Sequence, residues 1–214
     1  MKESTNNHFC NPFISYIEES FALDATTKAL IAQQSHLMTI KKGELILNAG
    51  NVCNYVYFII SGEAISYFNN SRGKTTTFFF YFNSSVSTIK NLFAVDYKSF
   101  LSSSPASISI VSVSAVKAIR FSKENIDYLI EKSPIFERWI RTVDEKVYSY
   151  TFDRVFSLLT LSAKDRYEKF LKEEPYLLNI FSNYHIASYL GITAQSLSRI
   201  RSGVKNLKSN ESGL

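Results

Sequence analysis

Cysteine is nearly missing from this sequence: Cys10 and Cys53 are the only two among 214 residues. Two thiols cannot build a disulfide framework, and their separation fits no zinc spacing. A cysteine-ligated iron–sulfur cluster normally takes four thiolates, which one such chain cannot supply. They read as reduced, partly buried thiols. Histidine is equally thin: His8, His36 and His185 are too scattered for a metal site or a catalytic triad. No P-loop and no nucleophile motif occurs, which counts against an enzyme. Long apolar runs are absent too. The longest, Tyr55 to Ile60, has six residues, against the ~20 that a bilayer-crossing helix needs. The first residues, Met1 to Asn7, are polar where a signal peptide would be apolar. The expected location is the cytoplasm, with no membrane partner.

What is present suits a globular protein. Hydrophobic residues make up 45% and charged residues 20%, enough apolar surface for a core and too much for a disordered chain. The net charge of +5 is unevenly placed. Residues 1–132 hold 12 Lys/Arg against 10 Asp/Glu, residues 133–174 hold 8 against 8, and residues 175–214 hold 4 against 1. A basic excess at one end suits a polyanion partner, although a solvated face would look the same.

From Leu37 to about Phe121 the pattern predicts strands. Lys41-Lys42-Gly43-Glu44 and Ala49-Gly50-Asn51 are turn signals around Leu45-Ile46-Leu47. Tyr55 to Ile60 is a β-branched and aromatic run stopped by Ser61-Gly62. Ala64 to Phe68 and Thr75 to Phe82 follow, either side of the turn Asn69 to Gly73. Ser107 to Ser114 alternates at period two with one slip between Ile110 and Val111, a place for a β-bulge. Short strands at this spacing indicate a β-sandwich or barrel.

After Phe121 the period becomes helical. Ser122 caps Lys123 to Lys132, and Pro134 opens an unbroken segment to Leu161. Phe136, Ile140, Val143, Val147 and Tyr150 form a stripe that continues through Phe152, Val155, Phe156 and Leu159. A helix about 40 Å long with so wide a stripe needs a partner: its own domain, or preferably a second copy across a dimer interface. Ser162 caps a further helix, Ala163 to Glu174, ended by Pro175.

Asn183 to Arg201 has helix-turn-helix spacing. Ala187 is small where two helices would touch, and Gly191, four residues on, can end the first helix. Ile186, Leu190, Ile192, Leu197 and Ile200 supply the apolar contacts, and Thr193 caps the second helix. Ala194, Gln195, Ser196, Ser198, Arg199 and Ser202 then form its exposed side, short or hydrogen-bonding as a DNA groove requires. Small-Gly-apolar spacing also occurs in structural αα-hairpins; here cap, glycine, apolar set and exposed arginine agree together.

These motifs resemble the Crp/Fnr family of bacterial transcription regulators, over about residues 10 to 204. In the β-region the likeness rests on Lys42-Gly43-Glu44, Ala49-Gly50-Asn51 and Tyr57 to Gly62. Towards the other end it rests on Ile186 to Thr193 and Leu197 to Arg201. The resemblance implies an α+β fold. An N-terminal double-stranded β-helix, a jelly-roll-like β-roll of the cyclic-nucleotide-binding type, would span residues 1–132. A dimerisation helix (133–161) and a helix-turn-helix, winged-helix-like DNA-binding domain (162–214) would follow. It implies a homodimer on double-stranded DNA, and it allows RNA polymerase as a further partner. Phe136, Ile140, Val143, Val147 and Tyr150 are the expected dimer residues. Arg199 is the expected guanine reader, supported by Gln195, with Thr193, Ala194, Ser196, Ser198, Arg201, Ser202 and Lys205 as further DNA contacts.

One departure bears on the effector. Members that bind cyclic AMP cradle its phosphate with a Gly-Glu pair and an Arg-Ser or Arg-Thr step. The corresponding stretch, Ser87 to Ser107, contains neither the Gly-Glu pair nor any arginine; Ser107 alone could stand for the hydroxyl. Each missing charge-assisted hydrogen bond is worth ~1.5–3 kcal/mol. Lys90 or Lys98 would bring only point charges. Regulation by cyclic AMP is therefore not expected, no cofactor is identified, and the roll is left for an unknown small-molecule effector or for none. The alternative reading is a ligand-sensing or protein-interaction module whose helix-turn-helix does not bind DNA.

Overall fold

The computed structural model describes residues 7–69 and 73–211, with side chains for 8–69 and 73–202. Two helices precede the strands: α1 (Asn11–Glu18) and α2 (Ala25–Gln34), the latter capped by Asp24, whose carboxylate accepts from Thr27 N at 2.6 Å. Eight strands follow, β1 (His36–Ile40), β2 (Leu45–Leu47), β3 (Tyr55–Ser61), β4 (Glu63–Asn69), β5 (Thr75–Phe82), β6 (Phe93–Ala94), β7 (Ser109–Ser112) and β8 (Val116–Ser122). The short helices α3 (Ile89–Leu92) and α4 (Tyr97–Ser102) interrupt them, and α5 (Lys123–Lys132) and α6 (Pro134–Thr160) come after. The last four are α7 (Ala163–Glu173), α8 (Leu177–Ile180), α9 (Asn183–Tyr189) and α10 (Ala194–Glu211).

Contacts divide the chain into two compact units, residues 1–68 with 79–149 and residues 69–78 with 150–214. The strands, all in the first unit except the end of β4 at Asn69 and the outer half of β5 (75–78), form two four-stranded antiparallel sheets, ordered β1-β8-β3-β6 and β2-β7-β4-β5, in a jelly-roll-like arrangement. Alternating side chains of both sheets meet inside: Ile59 and Ala118 from one, Ala64 and Ile110 from the other. Gly62 turns β3 into β4 with φ +85°; a Cβ there would lie 2.1 Å from the Ala115 carbonyl oxygen, so only glycine fits. The expected slip between Ile110 and Val111 is found as a bulge, with the extra residue, Ile46, on the partner strand: Leu45 pairs with Val111 and Leu47 with Ile110. A second core joins α1 to the roll. Phe13 packs edge-on against Phe58 and Trp139, and at 4.9 Å against Phe121.

Helix α6 corrects the expected dimer seam. Phe136 and Val143 are buried in the first unit's own core, and Ile140 and Val147 pack against it. Tyr150, in the second unit, shares a 2.7 Å hydrogen bond with the Tyr189 hydroxyl. The exposed apolar set is Tyr148, Phe152, Val155, Phe156, Leu158 and Leu159, with Leu159 81% exposed. The step from Val147 to Tyr148 is one residue, about 100° round the helix, so one apparent stripe is two.

The second unit is helical between residues 150 and 211. It packs Tyr167 and Phe170 of α7 and Leu177 of α8 with Ile186, Ala187, Leu190 and Leu197, all buried. Ser162 caps α7 in reciprocal hydrogen bonds with Asp165. Among the described residues no helix is long and apolar enough to cross a membrane.

Candidate nucleic-acid interface

The turn between α9 and α10 is closed by backbone. Ile192 N donates to Ala187 O and Gly191 N to Ser188 O, each at 3.0 Å, the paired bonds of a Schellman stop. That motif needs a left-handed residue, and Gly191 supplies it with φ +71°. The next two carbonyls are taken by arginines. Arg166 Nε donates to Leu190 O at 2.9 Å, and Arg154 Nη2 to Tyr189 O at 3.1 Å. Cations at a helix C-terminus also oppose its negative dipole end. The sequence reading did not single out these two arginines, which lie 24 and 35 residues from the carbonyls they hold.

Thr193 caps α10 as expected: its Oγ1 accepts from Ser196 N at 3.1 Å. Thr193, Ala194, Gln195, Ser198, Arg199 and Ser202 are exposed, and Ser196 is half-buried. Gln195 and Arg199, four residues apart, share one side of the helix. Three expected contacts already have partners within the unit. Arg201 Nη1 donates to Asn183 Oδ1 at 2.8 Å, Ser202 Oγ to Ser198 O at 3.1 Å, and Ser196 Oγ lies 3.0 Å from Thr193 Oγ1. Lys205 belongs to α10, but its side chain is outside the described residues.

His185, on α9, is half-buried, with Nδ1 3.4 Å from Thr77 Oγ1. Burial lowers its pKa from 6.5. The unfolded chain therefore binds the proton first as pH falls, so this contribution to stability is complete above about pH 6.5 and is lost below it, through the lower folded pKa. His185→Gln is expected to flatten the acid limb: its Tm should drop less than the wild type's between about pH 7 and pH 5. Identical pH profiles for the two proteins would refute this.

The first unit has a second site of interest. A cavity of about 410 Å³ is lined by Leu45, Leu47, Asn51, Cys53, Tyr57 and Ile110 among others, and its described lining holds no charged side chain. The Cys53 thiol donates to Tyr55 O, and desolvation raises its pKa. The segment 96–108 of the same unit is held by a carboxylate. Asp96, 6% exposed, accepts from Ser99 N at 3.1 Å, Ser107 N at 2.9 Å and Ile108 N at 3.4 Å. One of those donors belongs to Ser107, the residue compared above with the hydroxyl of the phosphate-binding step. Here an internal side chain, Asp96, uses it.

Residues 37–133 match the cyclic nucleotide-binding domain family. FixK2 from Bradyrhizobium japonicum superposes with a TM-score of 0.67 at 17% identity, over 81% of this chain and 86% of that one. The chain has the fold of the Crp/Fnr transcription regulators. A regulator of that family from Eubacterium rectale gives a TM-score of 0.62 at 17% identity, covering 83% of this chain and 82% of the other. The c-di-GMP-responsive global regulator CLP of Xanthomonas campestris gives 0.64 at 15% identity, covering 88% and 93%. No curated protein matches the sequence. On this regulator fold, the cyclic-nucleotide-binding-type match coincides with the eight-stranded roll and α5, and α9–α10 is the helix pair at the other end of the chain.

Proposed function

We propose that this protein is a sequence-specific DNA-binding transcription regulator, acting as a homodimer and not switched by cyclic AMP. Residues 1–132 serve as the effector-type roll, 133–161 as the dimerisation helix and 162–214 as the DNA-binding domain. The observation that carries the reading is the helix pair. Its turn is closed by backbone hydrogen bonds, its inner face is buried, and its outer face presents Gln195 and Arg199 beside a capped helix start. Such a pair offers side chains to base edges and backbone N–H groups to phosphates. Two copies related by a two-fold axis would read half-sites about 34 Å apart. The expected contact face is Thr193, Ala194, Gln195, Ser196, Ser198, Arg199 and Ser202, with Arg201 and Lys205 over the backbone. The dimer seam is reassigned to Tyr148, Phe152, Val155, Phe156 and Leu159.

Selecting bound duplexes from a random pool tests the reading. Enrichment of a two-fold-symmetric sequence is the expected result. No enrichment, together with no salt-dependent shift of any duplex, would favour the protein-interaction alternative. The ligand claim has its own check. Because Asp96 occupies backbone donors of the loop and the cavity lining is uncharged, calorimetry with cyclic AMP or cyclic GMP should yield no heat of binding at physiological levels. A micromolar dissociation constant for either would contradict it.

A further inference from the structure

Arg154 is a charged group in an unfavourable place. It is 9% exposed, its guanidinium stacks 3.8 Å over the Tyr189 ring, and the Phe78 ring lies 5.6 Å away. Its Nε finds no acceptor among the described residues. For stability alone an apolar side chain would serve as well, because burying a long cation costs both desolvation and rotamer entropy. What an apolar side chain could not do is bridge. Arg154 Nη2 reaches two carbonyls, Tyr189 O at the end of α9 and Thr77 O on β5 at 3.4 Å.

That strand is the edge of its sheet, and an edge leaves N–H and C=O groups open. Side chains close this one. Thr77 N donates to Ser188 Oγ at 2.9 Å, and Ser188 Oγ donates to Thr75 O at 3.2 Å. All of these residues belong to the second unit. On the far side of Tyr189, its hydroxyl donates to the buried Glu174 carboxylate at 3.1 Å and meets Tyr150. Desolvation pushes the Tyr189 pKa up to about 12, so the phenol stays protonated and keeps donating.

We propose that Arg154 and Ser188 are positioning residues that lock the outer half of β5 to α9 and thereby fix the angle at which α10 is presented. The proposal deepens the DNA-binding reading and rests on it for its consequence, but the lock itself does not. Because the α9–α10 turn is short and closed by the paired bonds of Gly191 N and Ile192 N, a rotation of α9 is passed to α10 rather than absorbed.

Hydrogen exchange on the full-length protein without DNA tests the lock. In Arg154→Met, amides of residues 75–78 and 183–190 should exchange about tenfold faster or more, with residues 109–121 of the roll unchanged. Ser188→Ala should show the same pattern at Thr77. Titration then tests the consequence. Arg154→Met should weaken a selected duplex by about tenfold while a random duplex changes less than about twofold, because phosphate contacts do not depend on register. Arg154→Lys should fail to restore operator affinity, since a single ammonium lacks the fork. Unchanged protection of α9 in Arg154→Met would overturn the lock, as would parallel losses on both duplexes or full rescue by lysine. Should Arg154→Met not fold, Arg154→Lys is held to the same exchange and titration criteria. Exchange coupling as expected, in a wild-type protein that binds no duplex, would overturn the DNA reading and leave the lock standing.

Discussion

Replacing Phe156 and Leu159 together by aspartate is expected to leave the protein a monomer at concentrations where the proposed dimer forms, while its thermal melt changes little. Both side chains lie on the exposed stripe of α6, 57% and 81% exposed within one chain, so a monomer loses no core contact when they change. In a two-fold interface each substitution places like charges in the same seam from both copies. An uncompensated buried carboxylate costs several kcal/mol, so a rise of at least ~100-fold in the dimer dissociation constant is expected. Phe152 and Phe156 already stack with ring centroids 6.3 Å apart, and large contiguous apolar patches on a monomer mark interaction sites. Val143→Asp behaves differently: its side chain is buried in the first unit, so unfolding rather than clean dissociation is expected. Sedimentation velocity with parallel thermal melts separates the two. A wild-type monomer at high concentration, or a double variant that still sediments as a dimer, would end the assignment.

Arg199→Ala is expected to flatten base preference at one position of each half-site. A bidentate arginine–guanine contact discriminates by ~1–3 kcal/mol, about 5- to 150-fold between the right and wrong base pair. Arg199 is exposed on α10, on the side it shares with Gln195. Arg201 offers a contrast, because its guanidinium is held by Asn183. Lys205→Ala should weaken all sequences alike and reduce the salt slope by about one. Titrations of selected and scrambled duplexes at two salt concentrations read both effects. Equal loss on both duplexes for Arg199→Ala would make Arg199 a phosphate contact and remove it as the reader.

Local order determined much of what was legible beforehand. The turns at Gly43, Gly50 and Gly62, the strand runs, the caps at Ser122, Ser162 and Thr193, and the Gly191 stop all depend on steric and hydrogen-bonding preferences of near neighbours, so they are written in short stretches of sequence. The missing phosphate motif was legible for the same reason. Helix α2 was not, because Ala25 to Gln34 shows little apolar periodicity and depends on packing through Thr27 and Ile31. Only the tertiary structure decided which stripe of α6 faces inward. Periodicity fixes spacing along a helix, but the choice of face depends on which neighbour comes to lie against it, here Phe13 and Phe93, whose rings pack on Trp139 of α6. The same holds for the polar partners that matter most. Asp96 meets Ser107 across 11 residues, Arg166 meets Leu190 across 24, and Arg154 meets Thr77 across 77. A donor and an acceptor that far apart leave no periodic trace, and only the folded chain brings them within hydrogen-bond reach.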